Sequence, residues 1–267
     1  MKQEHFIQAA ERRLRVHQIG HITANTPTLV FLHGAIDCIE MWRDFPEQVH
    51  QSTGLTVIVY DRWGHGQSEP LTSLRDGDTR PEEADKPLLD IFKHFNLTNV
   101  ILVGHSYGGV ISLIAASLHK DIIRGVVSLV PQMLVHPLCV AGAEAAKNSF
   151  EKGNLRKKLF KFHGDGLDNL FYDWINRVHS IEFEAEDCSS YLQQVACPVL
   201  QIYGDSDEFG YKPNLELSKR HIANNLTINV IPGAGHYAHL EAQEDVVDAI
   251  NTFSLPITGK PLSDRVC

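Results

Sequence analysis

The 267-residue chain predicts an α/β protein, a mostly parallel sheet covered by helices on both faces and interrupted once by a short helical cap. Three observations carry that prediction. Dense apolar runs rich in β-branched residues, such as Thr28 to Leu32, Val57 to Tyr60 and Val199 to Tyr203, read as strands buried on both faces. Segments with apolar residues at helical spacing lie between most of them. From about Gln132 to Ala196 the alternation gives way to helical patterns alone, so residues 132–196 are expected as the inserted cap and 1–131 plus 197–267 as the core.

Taken in order, Phe6-Ile7 and the alternating Leu14 to Ile19 suggest two antiparallel, half-exposed strands. Thr28 to Leu32 is an interior strand that ends in His33-Gly34-Ala35. A helical pattern through Met41, Trp42, Phe45 and Val49 follows. The next strand, Val57 to Tyr60, runs into Asp61 to Ser68, where two glycines mark a tight loop. Pro81 to Phe95 reads as one helix with Leu88, Leu89, Ile91, Phe92 and Phe95 as its buried stripe. Val100 to Val103 leads into Gly104-His105-Ser106-Tyr107-Gly108, which fits the G-x-S-x-G turn from strand to helix, and an apolar helix follows to Leu118. Gly125 to Val130 is a strand closed by Pro131. After the cap, Val199 to Tyr203 ends in Gly204-Asp205-Ser206-Asp207, and Thr227 to Ile231 ends in Pro232 to His236. The last helix is expected from about Leu240 to Phe253, with a surface extension from Leu255.

Bulk properties narrow the function classes. A formal net charge of −9 argues against nucleic acid as a partner, because phosphate binding needs a basic footprint. Five widely spaced cysteines form no disulfide framework, which favours a reducing compartment. The start of the chain lacks a signal-peptide pattern and no stretch is long enough to span a bilayer, so a cytoplasmic protein is expected. Cys267 is the last residue, not the fourth from last that prenylation needs. The fifteen histidines show no metal-ligand spacing, and neither a metal nor a cofactor is expected.

Every suggestive residue follows the carboxyl end of an expected strand, where ligands bind in such sheets. Ser106, Asp207 and His236 occur in the chain order Ser, Asp, His. Together with His33-Gly34, Asp61-x-x-Gly64-x-Gly66-x-Ser68, Gly204-x-x-Asp207 and Gly235-His236, this resembles the α/β-hydrolase superfamily from about Thr28 to Phe253. A serine hydroxyl needs a base to take its proton as it attacks, and His236 is the candidate. Asp207 would hold the imidazole tautomer. Asp205 competes with it as a loop-capping residue, and His239 competes with His236 from further into the next helix. The backbone N–H of Tyr107 and that of Ala35 are the expected oxyanion donors. In epoxide- and halide-processing relatives an aspartate stands at the elbow, so Ser106 points to acyl chemistry, with ester hydrolysis through an acyl-enzyme as its usual outcome.

The cap adds two expectations about substrate. Leu155, Leu159 and Phe162 recur at helical spacing and leave Lys157, Lys158 and Lys161 on the other face, either a solvated surface or a docking site for an acidic carrier. In size and in this basic helix the chain is similar to esterases that cleave the methyl ester of pimeloyl groups on acyl carrier protein in biotin synthesis. Phe160, Phe171, Tyr172 and Trp174 are candidates for an apolar acyl pocket, with packing inside the cap as the alternative. Rival activities with the same triad are carbon–carbon hydrolysis of ring-cleavage dienones and acyl transfer to an acceptor other than water; a non-catalytic receptor is a third alternative.

Overall fold

In this computed structural model, which describes residues 2–24, 26–179, 188–222 and 224–258, β1 (Lys2–Ala9) and β2 (Arg12–Ile19) form an antiparallel hairpin. Ala10 and Glu11 make its two-residue turn at φ 49° and 63°, the left-handed conformation that such turns need and that asparagine and glycine usually supply. Six further strands follow: β3 (Thr28–Leu32), β4 (Val57–Tyr60), β5 (Val100–His105), β6 (Ile123–Leu129), β7 (Val199–Gly204) and β8 (Leu226–Ile231). The eight strands lie in the order β1-β2-β4-β3-β5-β6-β7-β8, antiparallel from β1 to β4 and parallel from there to β8.

The interior strands are apolar throughout because both faces are covered. Val30, Leu32, Ile58, Tyr60, Val100 and Leu102 face one core layer, and Leu29, Phe31, Val57, Val59, Ile101 and Val103 face the other. The second layer is closed by α1 (Phe45–Thr53). The first is closed by α2 (Arg80–Ala84), α3 (Lys86–His94) and α4 (Tyr107–Leu118). The single helix expected from Pro81 to Phe95 is therefore two. The chain turns at Asp85 (φ −100°, ψ −96°), since a continuous helix would drive the Pro87 ring against the carbonyl of Glu83.

Between β6 and β7 lie α5 (Pro137–Lys152), α6 (Leu155–His163) and α7 (Leu167–Val178), followed by the single turn α8 (Ser189–Leu192). Helices α5 to α7 share a small core of their own, centred on Phe150 stacked against Phe171 at 3.8 Å. Polar ties join them to the sheet loops. Gly66 N–H donates to His163 Nδ1 at 2.9 Å, and Asp173 accepts three bonds from Arg75.

The chain ends, as far as it is described, with α9 (Lys212–His221), α10 (Ala238–Glu241) and α11 (Gln243–Thr258). Helix α11 passes through Leu255 and Pro256, where a surface extension was expected. Phe253 and Ile257 pack so closely on Gly125 of β6 that a Cβ there would lie 2.7 Å from Ile257 Cδ1, and this packing outweighs the one hydrogen bond Pro256 removes. Cys267 lies outside the described residues. No described helix is long and apolar enough to cross a membrane.

Candidate active site

Strands β3, β5, β7 and β8 all deliver their carboxyl ends to one rim, and the loops leaving them build the site. At the β5–α4 turn Ser106 sits at φ 52°, ψ −114°, a strained conformation that projects its side chain from the rim. The flanking glycines are required by contact: a Cβ on Gly104 would lie 2.2 Å from the Gly108 carbonyl oxygen, and one on Gly108 2.1 Å from that of Leu32. Ser106 N–H donates to the Leu129 carbonyl at 2.8 Å, tying the turn to β6.

The structure brings Ser106, His236 and Asp207 together. Ser106 Oγ lies 3.0 Å from His236 Nε2, and His236 Nδ1 lies 3.0 Å from Asp207 Oδ1, with all three residues buried. Asp207 is held in turn by the Phe209 N–H at 3.0 Å and the Gln132 amide at 3.4 Å. Asp205 instead ties the loop after β7 to the loop after β8, accepting from Gly233 N–H at 2.7 Å. His239 is buried against Trp42 and Phe45, with ring centroids at 4.8 and 5.3 Å, and burial holds its pKa well below the ordinary value. Such an arrangement can pass the serine proton to the imidazole while the carboxylate fixes its tautomer. Ala35 and Tyr107 line the same cavity, and neither backbone N–H donates to a described residue, so both are free to receive an oxyanion.

One residue of the site escaped the sequence. Asp37 accepts from Gly34 N–H at 3.2 Å and from the Tyr237 hydroxyl at 3.1 Å, and faces His105 Nδ1 at 3.2 Å. His105 Nε2 in turn donates to the His236 carbonyl at 2.9 Å. Burial alone would raise the Asp37 pKa, but the His105 hydrogen bond and charge hold it well below the carboxylate range. Asp37 thus joins the oxyanion loop, the serine turn and the histidine loop. The only signal for it was its place three residues after Gly34. His33 accepts from Arg62 N–H at 3.0 Å and stays neutral; burial, then Arg62, lowers its pKa to about 3.

The cavity beside Ser106 measures about 350 Å³ and is largely apolar, walled by Leu134, Val135, Leu155, Trp174 and Val178. Of the four aromatic residues expected there, only Trp174 lines it. Phe160 is 43% exposed on the outer surface, Phe171 is fully buried against Phe150, and the Tyr172 hydroxyl turns out to Glu151 at 3.3 Å. Packing of α5 on α7 claims the face that carries Phe171, and the next turn carries Trp174 and Val178 to the cavity. Lys157, Lys158 and Lys161 are exposed, form no ion pair with a described residue and do not line the cavity, whereas Arg156 pairs with Asp168 at 2.8 Å. Cys38, Glu40 and Asp61 cluster closely enough to hold a cation, but their donors are engaged: Asp61 accepts from the N–H groups of Ile39 and Gln67, and Glu40 pairs with Arg15.

Residues 27–173 match the alpha/beta hydrolase fold family. The chain is 22% identical over 263 residues to the mouse sn-1-specific diacylglycerol lipase ABHD11, covering 86% of this chain and 81% of that one. It is 25% identical over 280 residues to 2-(acetamidomethylene)succinate hydrolase of Mesorhizobium japonicum, covering 94% and 96%. A solved carboxylesterase structure from Nitrososphaera gargenis superposes with a TM-score of 0.76 at 18% identity, covering 95% of this chain and 99% of that one. The parallel sheet, the strained serine turn and the family match over more than half the chain lead to one conclusion: this protein belongs to the alpha/beta hydrolase fold family.

Proposed function

We propose that the protein is a serine carboxylic ester hydrolase working through an acyl-enzyme. Ser106 Oγ attacks the ester carbonyl as His236 Nε2 takes its proton, and the oxyanion rests on the N–H groups of Ala35 and Tyr107. The tetrahedral adduct collapses, the alcohol leaves with the proton from His236, and the acyl group remains on Ser106. Water then gives a proton to His236 and attacks the acyl carbon, releasing the acid and restoring the serine. Asp207 orients the imidazole throughout, and residues 132–196 serve as a cap that walls the acyl cavity. The observation that supports this reading most is the unbroken chain of two 3.0 Å contacts from Ser106 through His236 to Asp207 beside that cavity.

A fluorophosphonate probe is expected to label the wild-type chain at Ser106, and Ser106→Ala to lose both labelling and nitrophenyl-ester hydrolysis. Labelling without turnover of any ester, joined to turnover of a ring-cleavage dienone, would favour the carbon–carbon hydrolase instead. Absence of labelling would point to a receptor.

A second reading has the ester arrive on an acidic carrier such as acyl carrier protein, as a pimeloyl methyl ester does. It is favoured by Lys157, Lys158 and Lys161, exposed and without an ion pair to a described residue, around exposed Phe160 on a protein of net charge −9. Replacing the three lysines by glutamine is then expected to slow a carrier-bound methyl ester about tenfold or more at low salt, with small esters unaffected. Equal rates on the carrier-bound ester would remove this reading.

A further inference from the structure

Behind the serine turn, five ionisable side chains are packed together with almost no access to water. Arg62, Arg75 and Arg177 meet Glu83 and Asp173, and none of the five side chains is more than 11% exposed. Glu83 takes Arg62, Arg75 at 2.7 Å and the Thr79 hydroxyl at 3.2 Å. Asp173 takes Arg75 and Arg177. Burial would raise the Glu83 pKa, yet the three arginines hold it down to about 2, so the carboxylate is ionised. Neither nearby histidine adds a positive charge, since both His33 and His65 are kept neutral by burial and by Arg62. Over the described residues the cluster therefore holds three positive charges against two negative ones.

A buried charge without a counter-ion is costly, and the position of the surplus matters. Arg177 is the one arginine of the three that lines the acyl cavity. Its Nη groups bond to Asp173, to the Thr79 hydroxyl and, at 3.3 Å, to the Tyr107 hydroxyl, while its Nε–H makes no hydrogen bond to a described residue. The two acidic residues that also line the cavity do not neutralise it. Asp37 is engaged by Gly34, His105 and Tyr237, and Glu208 is exposed with no ion pair to Arg177.

We infer that the cavity takes an acyl group bearing a second, free carboxylate, and that Arg177 is the counter-ion for it. The preferred substrates are half-esters of short dicarboxylic acids. The chain length follows from Tyr107, whose backbone N–H faces the scissile carbonyl in the proposed reaction while its hydroxyl touches Arg177, so the two ends of the acyl group stand about one tyrosine side chain apart. The chemical role assigned to the acyl group rests on the ester-hydrolase reading; the carboxylate subsite itself does not.

The test compares monomethyl succinate, glutarate and adipate with methyl butyrate, valerate and hexanoate, following methanol release by wild-type protein and by Arg177→Gln and Arg177→Lys. A hydrogen-bonded charge of this kind is worth about 10–100-fold, so wild-type kcat/KM is expected to favour the half-ester by about that factor. The ratio should fall towards one in Arg177→Gln, mainly through KM, and to an intermediate value in Arg177→Lys, which keeps the charge and loses the planar fork. A wild-type ratio of one or less, or a ratio unchanged in Arg177→Gln, overturns the inference. A second measurement needs no catalysis: calorimetric binding of glutarate against valerate, which wild-type protein should discriminate and Arg177→Gln should not. If no ester of either kind is turned over but glutarate binding depends on Arg177, the ester-hydrolase reading fails and the subsite stands. If neutral esters are turned over and glutarate does not bind, the subsite fails alone. Should Arg177→Gln not fold, the two wild-type comparisons decide.

Discussion

The rim of the sheet and the helical segment above it hold their side chains by different means. At the rim, position is set by main chain: Ser106 stands where a strained turn puts it, and a Cβ on Gly104 or Gly108 would lie only 2.2 or 2.1 Å from a main-chain oxygen. In the segment from α5 to α7, position is set by side chains packing on side chains, Phe150 on Phe171 above all, with His163 and Asp173 as polar ties to the core. The rim is thus suited to chemistry that tolerates no displacement. The segment is suited to selectivity, since its cavity wall can be altered one side chain at a time.

The largest effects are expected where the rim is broken. Asp207→Asn leaves the shape nearly unchanged but presents the wrong hydrogen-bonding partner to His236, and kcat on a nitrophenyl ester should fall about 10⁴-fold. Retention of a tenth of the activity would mean that the 3.0 Å contact between His236 and Asp207 carries no chemical role.

Acid should weaken the rim and also, through His163, its tie to the helical segment. His33, His65 and His239 are kept neutral by burial, with pKa values below the ordinary 6.5, whereas the unfolded chain binds their protons from about that pH downward. The unfolded state then holds more protons, so stability falls as pH drops below 6.5, by about 1.4 kcal/mol per pH unit for each such histidine. Urea unfolding between pH 8 and pH 5 measures this. A flat curve over that range would show that the three rings accept protons in the folded state.

The same contrast explains what could be read from the chain. Ser106, Asp207 and His236 were legible because each follows a strand through a short glycine-containing loop, and a parallel sheet sends all such loops to one edge. The hairpin strands were legible from their own polar and apolar alternation, but the order β2-β4-β3-β5 was not, since alternating strands with helices does not say which strands are neighbours. Asp37 was not legible, because its partners His105 and Tyr237 lie 68 and 200 residues away. Phe160, Phe171 and Tyr172 were misassigned for a related reason. Helical spacing tells which residues share a stripe, but not which neighbour covers that stripe. The break at Asp85 is set within the chain by Pro87, whereas the continuation through Pro256 is decided by the packing of Phe253 and Ile257 on Gly125, which overrides local preference.

Asp37 gives an effect of intermediate size. Asp37→Asn keeps the volume while weakening the grip on Gly34, His105 and Tyr237 together, so the oxyanion loop and the His236 loop lose a common anchor. The expected result is a 10–100-fold loss in kcat, about 1.4–2.8 kcal/mol of transition-state stabilisation, with a smaller change in KM. A loss confined to KM would mean that Asp37 acts only through the cavity wall that it also lines, and not through the alignment of the rim.

The smallest effect separates the two faces of the helical segment. Trp174 forms part of the cavity wall and Phe160 faces solvent at 43% exposure, although both are aromatic residues of the same segment. Trp174→Ala enlarges the cavity, so the preferred acyl chain should lengthen and the ratio of rates on long and short nitrophenyl esters should shift several-fold, since one methylene in an apolar pocket is worth about 1–3 kcal/mol at most. Phe160→Ser removes an exposed ring and should leave that ratio within experimental error and stability within about 0.5 kcal/mol. If Phe160→Ser changed acyl-length preference as much as Trp174→Ala did, the segment would have to turn its outer face towards substrate during turnover. The division between a rim fixed by main chain and a wall fixed by packing would then fail at the wall.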